Sequence, residues 1–149
     1  MSTAYHLCQP EDLDLLISLA LRRTEEAGAD YEEETLRAGY APLCAGGSEG
    51  AAYLFGPARA PVGYLAITFG WSVPLAAPEA RIVDMYIRPS VRRRGLAGEA
   101  LRAVSRGLRE GGIKAIHVEL PHGNAPVSAL IRRAGFVADP GAIRATRLL

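Results

Sequence analysis

The feature that most constrains the fold is an amphipathic helix between two short apolar segments in the second half of the chain. Helical spacing of apolar residues extends over Leu96–Glu110 and ends at Gly111. One face of this helix consists of Ala97, Leu101, Val104 and Leu108. The flanking segments, Arg81–Ile87 and Ile113–Leu120, have the length and composition of strands. A strand, a helix and a second strand form a βαβ unit, so we expect two parallel strands joined by a right-handed crossover.

The other segments predict three more helices and the rest of the sheet. These elements are a strand over Thr3–Cys8, helices over Pro10–Glu26 and Tyr31–Ala38, hairpin strands over Ala51–Phe55 and Val62–Trp71, a helix from Asn124 to about Ala134, and a final strand over Ala142–Leu148. Pro74–Pro78 is expected to be a loop. No repeat or linker separates the elements. We therefore expect one α/β domain over residues 1–149 with a mixed sheet.

Several classes of protein and site are disfavoured. No apolar run approaches the roughly 18 residues that span a bilayer. The N-terminus also lacks the basic and then apolar arrangement of a secretory signal, so we expect a cytoplasmic protein with no membrane partner. The cysteines and histidines, which are Cys8, Cys44, His6, His117 and His122, have none of the short spacings of a metal site. We expect no metal, and we interpret both cysteines as small buried apolar side chains.

Charge is distributed unevenly along the chain, although the formal net charge is only +1. Residues 1–79 carry 4 basic and 11 acidic side chains, a net −7, whereas residues 80–149 carry 13 basic and 5 acidic ones, a net +8. The second half therefore predicts an anionic ligand. Its arginines lack interleaved aromatic residues and any DNA-reading motif, so a compact phosphate-bearing ligand is favoured over a nucleic acid.

The connection from the strand Arg81–Ile87 to the helix is rich in arginine and glycine. It consists of Arg92, Arg93, Arg94, Gly95, Leu96, Ala97 and Gly98. The N–H groups of a helix N-terminus attract anions, glycine permits a close approach to the backbone, and arginine provides forked donors to phosphate. The turn has neither the Lys-Ser/Thr of a Walker A loop nor a GxGxxG pattern. It predicts binding of a diphosphate by main-chain amides, and a solvated basic helix start is the alternative.

Two further segments complete a pattern around this turn. Met85-Tyr86-Ile87-Arg88-Pro89 ends the strand before it, and Asn124 begins a helix that closes on Gly135-Phe136. Together with Arg92 to Ala97, these segments resemble the GNAT superfamily of N-acetyltransferases. The resemblance is strong from about Ile82 to Phe136. It implies a mixed, mostly antiparallel central sheet with about four helices around a parallel strand-helix-strand core that binds acetyl-CoA.

The resemblance implies roles for residues on both sides of the turn. The residues whose backbone would pair with the pantetheine arm like an added strand are Met85, Tyr86 and Ile87. The turn from Arg92 to Gly98 would hold the diphosphate. Asn124 and the helix after it would flank the pantetheine and the thioester, with a plain helix N-cap as the alternative. The candidates for the adenosine end are Arg94, Arg132 and Arg133, each of which could instead belong to a solvated basic face. Dimers are common in the family, so a homodimer is one expectation.

The sequence departs from the family at the residues that usually move protons. Ile131 stands where many members have the tyrosine that protonates the leaving thiolate, and Val83 stands where others have a glutamate base. Neither side chain can transfer a proton. The candidate substitutes are Asp84, His122 and Ser128, with hydrogen bonding, loop exposure and packing as their respective structural alternatives. Arg93 also replaces a residue that is usually small, which crowds the turn.

The acceptor site is the least specified part of the sequence. The first helices and the hairpin carry an acidic and aromatic set, which is Asp30, Glu32, Glu33, Glu34, Tyr31, Tyr40, Phe69 and Trp71. Such a rim would attract a cationic amine through Coulomb and cation–π interactions. A solvated acidic helix face with core aromatics is the alternative.

The leading hypothesis is an acetyl-CoA-dependent N-acetyltransferase in which an amine attacks the thioester directly. A backbone N–H of the Met85 to Ile87 strand would then stabilise the oxyanion. One alternative is a catalytically impaired acyl-CoA-binding sensor or interaction module on the same fold, because the usual tyrosine and glutamate are missing. A basic nucleic-acid-binding domain without affinity for CoA is the other.

Overall fold

The computed structural model describes residues 5–119 and 125–149. The chain divides into two compact units, residues 1–119 and 120–149, and the expectation of one domain stays a prediction. The strands of the first unit are β1 (Tyr5–Leu7), β2 (Gly50–Phe55), β3 (Gly63–Ser72), β4 (Ala77–Ile87) and β5 (Ile116–Val118). Its helices are α1 (Leu13–Glu26), α2 (Glu33–Cys44) and α3 (Leu96–Glu110).

The five strands form one mixed sheet in the order β1-β2-β3-β4-β5. Neighbouring strands from β1 to β4 are antiparallel, whereas β4 and β5 are parallel and are connected through α3. The mixed α/β fold and the βαβ unit are thus confirmed, and the bounds of α3 match the predicted helix. The connection that makes β4 and β5 parallel leaves the carboxyl end of β4 and enters α3. The turn before α3 therefore lies close to the end of β4 in sequence.

One face of the sheet is covered by α1 and α2. Alternation along β3 directs Tyr64 and Ala66 into this core, while Leu65 and Ile67 are buried on the opposite face. The core is completed by Leu16, Leu19 and Ala20 from α1, Leu43 and Cys44 from α2, and Ala52, Leu54 and Tyr86 from the strands. Both cysteines are buried, as predicted, but their Sγ atoms lie 2.9 Å apart. Their separation in sequence gave no sign of this contact.

Several predicted boundaries are wrong. The second helix extends to Cys44, well beyond the predicted end at Ala38. It continues through Pro42, which removes one backbone hydrogen bond near its end, and the last turn buries Leu43 and Cys44. In the β3/β4 hairpin, Pro78 lies opposite Trp71, so that β4 begins inside the predicted loop. In contrast, β5 covers only the middle of the predicted strand Ile113–Leu120, of which Leu120 lies outside the described residues.

A β-bulge interrupts β4 at Val83. Ala66 lies opposite Asp84 and Ile67 lies opposite Ile82, so Val83 is an extra residue on β4. The parallel pairing with β5 ends at the same level, since Ile82 and Val118 are its last pair. Beyond the bulge, the edge of β4 that faces away from β3 has no strand partner in the described part of the chain.

The second unit contains one helix, α4 (Ala125–Arg133), which is followed by Gly135 at a φ of +96°. The predicted final strand over Ala142–Leu148 is wrong, because these residues form no strand. Ile143 and Leu148 are more than 90% exposed, so their apolar side chains have no strand face to cover. In the two described ranges, no helix has the length and apolarity needed to cross a membrane.

Candidate active site

The unpaired edge of β4 after the bulge offers main-chain groups to a ligand. The N–H of Arg88 donates to Val62 O, on the side of β3. Because successive N–H groups of a strand point in opposite directions, those of Met85 and Ile87 point toward the open edge. The side chains of Tyr86 and Ile87 are buried, which fixes the strand in place. The backbone proposed from the sequence is therefore accessible along one side.

The turn that follows has the shape of an anion site. Arg93 has a φ of +64° and Gly95 a φ of +79°, and these left-handed residues turn successive N–H groups toward one side of the loop. The first α3 hydrogen bond runs from Glu99 N–H to Gly95 O, so the N–H groups of Leu96 to Gly98 have no acceptor within the helix. A Cβ added at Gly95 would meet nothing within 4 Å. Arg93 and Arg94 are exposed beside this open space.

Arg92 holds the turn against α1. Its Nε donates to Ile87 O at 2.8 Å, and its Nη2 lies 2.6 Å from Glu26 Oε2. The guanidinium also lies over the Tyr86 ring, 5.6 Å from the centroid, and the Tyr86 hydroxyl donates to Glu26 Oε1 at 3.0 Å. The Arg92 guanidinium holds the pKa of Glu26 below its ordinary value. These contacts brace the turn, and the sequence did not identify Glu26 as their partner.

The Asp84 carboxylate is enclosed by three side chains that are distant in sequence. The hydroxyls of Tyr40 and Tyr64 both donate to Oδ2, the latter at 2.5 Å. Arg23 Nε lies 2.5 Å from Oδ1 as an ion-pair partner, without the alignment of a hydrogen bond. Burial, reinforced by the carboxylate, raises the pKa of both tyrosines, so both remain donors. Asp84 is only 10% exposed; its Oδ2 accepts two hydrogen bonds, whereas Oδ1 has the ion-pair contact alone.

A second ionisable pair lies on β4 and β5, a few residues before the bulge. His117 Nε2 is 2.6 Å from Glu79 Oε2, and the two side chains connect β5 to β4. They line an open hollow of about 280 Å³ together with Thr68, Gly70, Arg81 and Val83. No spacing in the sequence connects His117 with Glu79. Glu79 lies before the predicted start of the strand at Arg81. Because β4 begins at Ala77, Glu79 is part of the sheet and can contact His117.

A profile of the acetyltransferase (GNAT) family matches residues 15–136. The chain belongs to the GNAT acetyltransferase family. This confirms the resemblance derived from the motifs. The match includes the bulged strand, the turn and α3. No curated protein matches the chain in sequence.

Solved structures show that the fold is shared along the whole chain. A possible acetyltransferase from Clostridium difficile 630 is 14% identical with a TM-score of 0.86, covering 100% of this chain and 99% of its own. An aminoglycoside acetyltransferase from an uncultured soil metagenomic sample, in complex with sisomicin, is 15% identical with a TM-score of 0.80 and coverages of 99% and 96%. A predicted acetyltransferase with acetyl-CoA from Clostridium acetobutylicum is 17% identical with a TM-score of 0.77 and coverages of 97% and 96%. At these identities the likeness shows the GNAT fold alone.

The sequence also predicts candidate site roles for residues between 122 and 133. His122 and Asn124 lie outside the described residues. In the second unit, Ile131 is buried, Ser128 is half-buried, and Arg132 and Arg133 are exposed at the end of α4. Ile131 at the usual tyrosine position is therefore an apolar packing residue.

The predicted acceptor rim is only partly exposed. Its acidic members, Asp30 to Glu34, are exposed around the start of α2, and Tyr31 and Trp71 are 56% and 63% exposed. Tyr40 instead donates a hydrogen bond from its hydroxyl to the Asp84 carboxylate. A hollow of about 500 Å³ along α1 and α2 is lined by acidic residues and by Arg22 and Arg37, so its charge is mixed.

Proposed function

We propose that this GNAT protein is an acetyl-CoA-dependent N-acetyltransferase that acts on a primary, cationic amine. The observation that carries the proposal is the continuity between the open edge of β4 and the left-handed turn at the N-terminus of α3. An extended polar chain ending in a diphosphate has the shape and charge to follow that path. The family match supports acetyl transfer, and the geometry supports this chain's ability to hold the donor.

The residues fit acetyl-CoA at three points. The N–H groups of Met85 and Ile87 can pair with the amides of the pantetheine arm, as an added strand would. The turn from Arg93 to Gly98 offers main-chain donors and a helix N-terminus to the diphosphate. The open space at Gly95 lets phosphate reach the backbone. Arg94 and Arg133 remain candidates for the 3′-phosphate end.

Positioning is the chief contribution of these residues to the reaction. Acetyl-CoA supplies an acyl group activated as a thioester, and thiolate is a good leaving group even without a strong acid. The main-chain N–H groups after the bulge would stabilise negative charge on the carbonyl oxygen. Arg92 and Glu26 keep the turn in register with β4, which reduces the entropy lost when the two substrates meet. Asp84, whose oxygens are occupied by Tyr40, Tyr64 and Arg23, has a structural role in this account.

The acceptor preference rests on charge. The exposed acidic segment Asp30 to Glu34 would raise the local concentration of a cationic amine, and Tyr31 adds an exposed aromatic face for cation–π contact. Neutral or anionic acceptors would gain nothing from this segment. A diamine should therefore react faster than a neutral or acidic amine of equal nucleophilicity, with the difference falling as salt is added.

The proposal is tested by titrating the protein with acetyl-CoA in a thermal-shift or calorimetric experiment. At about 100 times the dissociation constant, the ligand should add about 2.7 kcal/mol of stability. Gly95→Glu should abolish binding, because it places a carboxylate against the diphosphate. Gly46→Glu is the matched control, since Gly46 has a φ of +74° and, like Gly95, has open space around it. Equal acetyl-CoA affinity in the two variants would refute the assignment of the turn.

A binding module without catalysis is the second candidate. It is favoured by the buried Ile131 and by the occupied carboxylate of Asp84, which remove two of the expected proton carriers. It predicts the same acetyl-CoA affinity but no amine-dependent release of thiol. The titration followed by a panel of amines therefore separates the two candidates.

A further inference from the structure

The Glu79–His117 pair is poorly explained as a device for stability. His117 is 55% exposed and Glu79 is 27% exposed, and exposed ion pairs contribute about 0–1 kcal/mol. The same β4 and β5 strands are already held by three backbone-paired positions, Ala80 with Ile116, Arg81 with His117 and Ile82 with Val118. The short contact of 2.6 Å fixes the imidazole at the edge of an open hollow.

The position of this pair connects it to the proposed chemistry. Arg81, which lies opposite His117, is two residues before the bulge at Val83, and Val83 itself lines the hollow. The bulge marks the point where β4 and β5 separate and the open edge begins. The imidazole and Val83 therefore line one hollow, and an acyl group carried along the open edge to the bulge would border it. Val83, at the bulge itself, carries no proton acceptor.

We propose that His117 is the general base of the acetyl transfer and that Glu79 is its positioning residue. This inference rests on the proposed function. The carboxylate accepts the hydrogen bond from Nε2–H, which selects the neutral tautomer with a free lone pair on Nδ1. Nδ1 takes one proton from the cationic amine, which frees the nitrogen lone pair to form the N–C bond. The C–S bond breaks with its electron pair on sulfur, the second proton lost by nitrogen passes through solvent to the thiolate, and the imidazolium returns its own proton to water.

The first test measures the tautomer directly, without any ligand. Free neutral histidine already favours the Nε2–H form, so nitrogen-15 NMR of the wild-type protein should show a larger Nε2–H fraction at His117, assigned by the loss of its signals in His117→Gln. In Glu79→Ala the tautomer ratio should fall to that of free histidine, whereas Glu79→Gln keeps an acceptor and should retain the excess. A wild-type ratio equal to that of free histidine would overturn the positioning role.

The second test measures catalysis. His117→Gln should lower the rate of amine-dependent thiol release at neutral pH by about 10²–10⁴-fold, the usual contribution of a positioned base, while acetyl-CoA affinity stays unchanged. The rate should recover as pH approaches the pKa of the amine, because the free amine then needs no base. The nearby charged groups, which are Glu79 and Arg81 from β4 and Glu119 directly after β5, remain in the variant. Glu79→Ala should lose part of the rate, and Glu79→Gln should lose less.

His6→Gln provides the matched control. His6 also pairs with a carboxylate, Asp12, at 3.8 Å, but it lies on β1 at the opposite edge of the sheet. The His6→Gln variant should release thiol in the presence of amine at the wild-type rate. Full activity in His117→Gln, or an equal loss in His6→Gln, would overturn the role of His117 and leave the proposed function standing. A wild-type protein that binds acetyl-CoA but acetylates no amine would overturn both.

Discussion

Replacing Asp84 by asparagine should destabilise the protein without removing a catalytic base. Each of the two tyrosine hydroxyls donates to a charged acceptor, a bond that contributes about 1.5–3 kcal/mol, and a neutral amide oxygen would retain about 0.5–1.5 kcal/mol of each. The amide N–H groups would also face the Arg23 guanidinium, but Arg23 is 42% exposed, so solvent reduces that penalty. The expected loss is about 2–3 kcal/mol. For a chain of this length it corresponds to roughly 4–12 °C in Tm.

The assay is thermal unfolding followed by circular dichroism, together with acetyl transfer measured well below the transition. Asp14→Asn is the matched control, because Asp14 pairs with Arg37 at 2.6 Å but is 84% exposed. That variant should lose less than about 1 kcal/mol. If Asp84→Asn instead keeps the wild-type Tm and loses turnover, Asp84 is the base and the structural reasoning is refuted.

Three further outcomes follow from the ionisable groups. Because Arg92 lowers the pKa of Glu26, the Tm advantage of the wild type over Glu26→Gln should be complete above the ordinary value of 4.5 and shrink as pH falls below it; a constant difference would contradict the pairing. Because burial raises the pKa of Tyr64, the wild type should lose Tm faster than Tyr64→Phe above the ordinary value of 10, and parallel losses would contradict that reading. Both thiols are buried, and the Cys44 thiol together with burial raises the pKa of Cys8, so Ellman's reagent should react slowly with the native protein and rapidly after unfolding. Fast reaction of the native thiols would show that the pair is accessible.

The parts of the fold that the sequence predicts well are those with local signals. The bounds of α3 follow from a continuous apolar stripe and from the glycines on either side, all of which lie within one segment. The candidate anion-binding turn is equally local, because its left-handed Gly95 and its arginines are consecutive. Local periodicity also predicts α1, although it cannot show that Pro10–Asp12 forms a separate 3-10 turn.

The missed features depend on partners that are far apart in sequence. The side chains that contact Asp84 on β4 come from α1, α2 and β3; they are Arg23, Tyr40 and Tyr64. The contact between Arg92 and Glu26 joins residues 66 positions apart. No spacing rule indicates such contacts. The prediction of a final strand is wrong for a related reason. Ala142–Leu148 has apolar residues at strand-like positions, but a strand also needs the edge of another strand to pair with, and composition does not show whether one is present.

The most direct measurement is mass spectrometry of a diamine incubated with acetyl-CoA and the wild-type protein, with free thiol quantified in parallel. We predict the gain of one acetyl group on the amine and one equivalent of thiol released per product. The rate should be greatly reduced in Gly95→Glu and unchanged in Gly46→Glu. Thiol release without acetylated amine, or an equal rate in both glycine variants, would contradict the account.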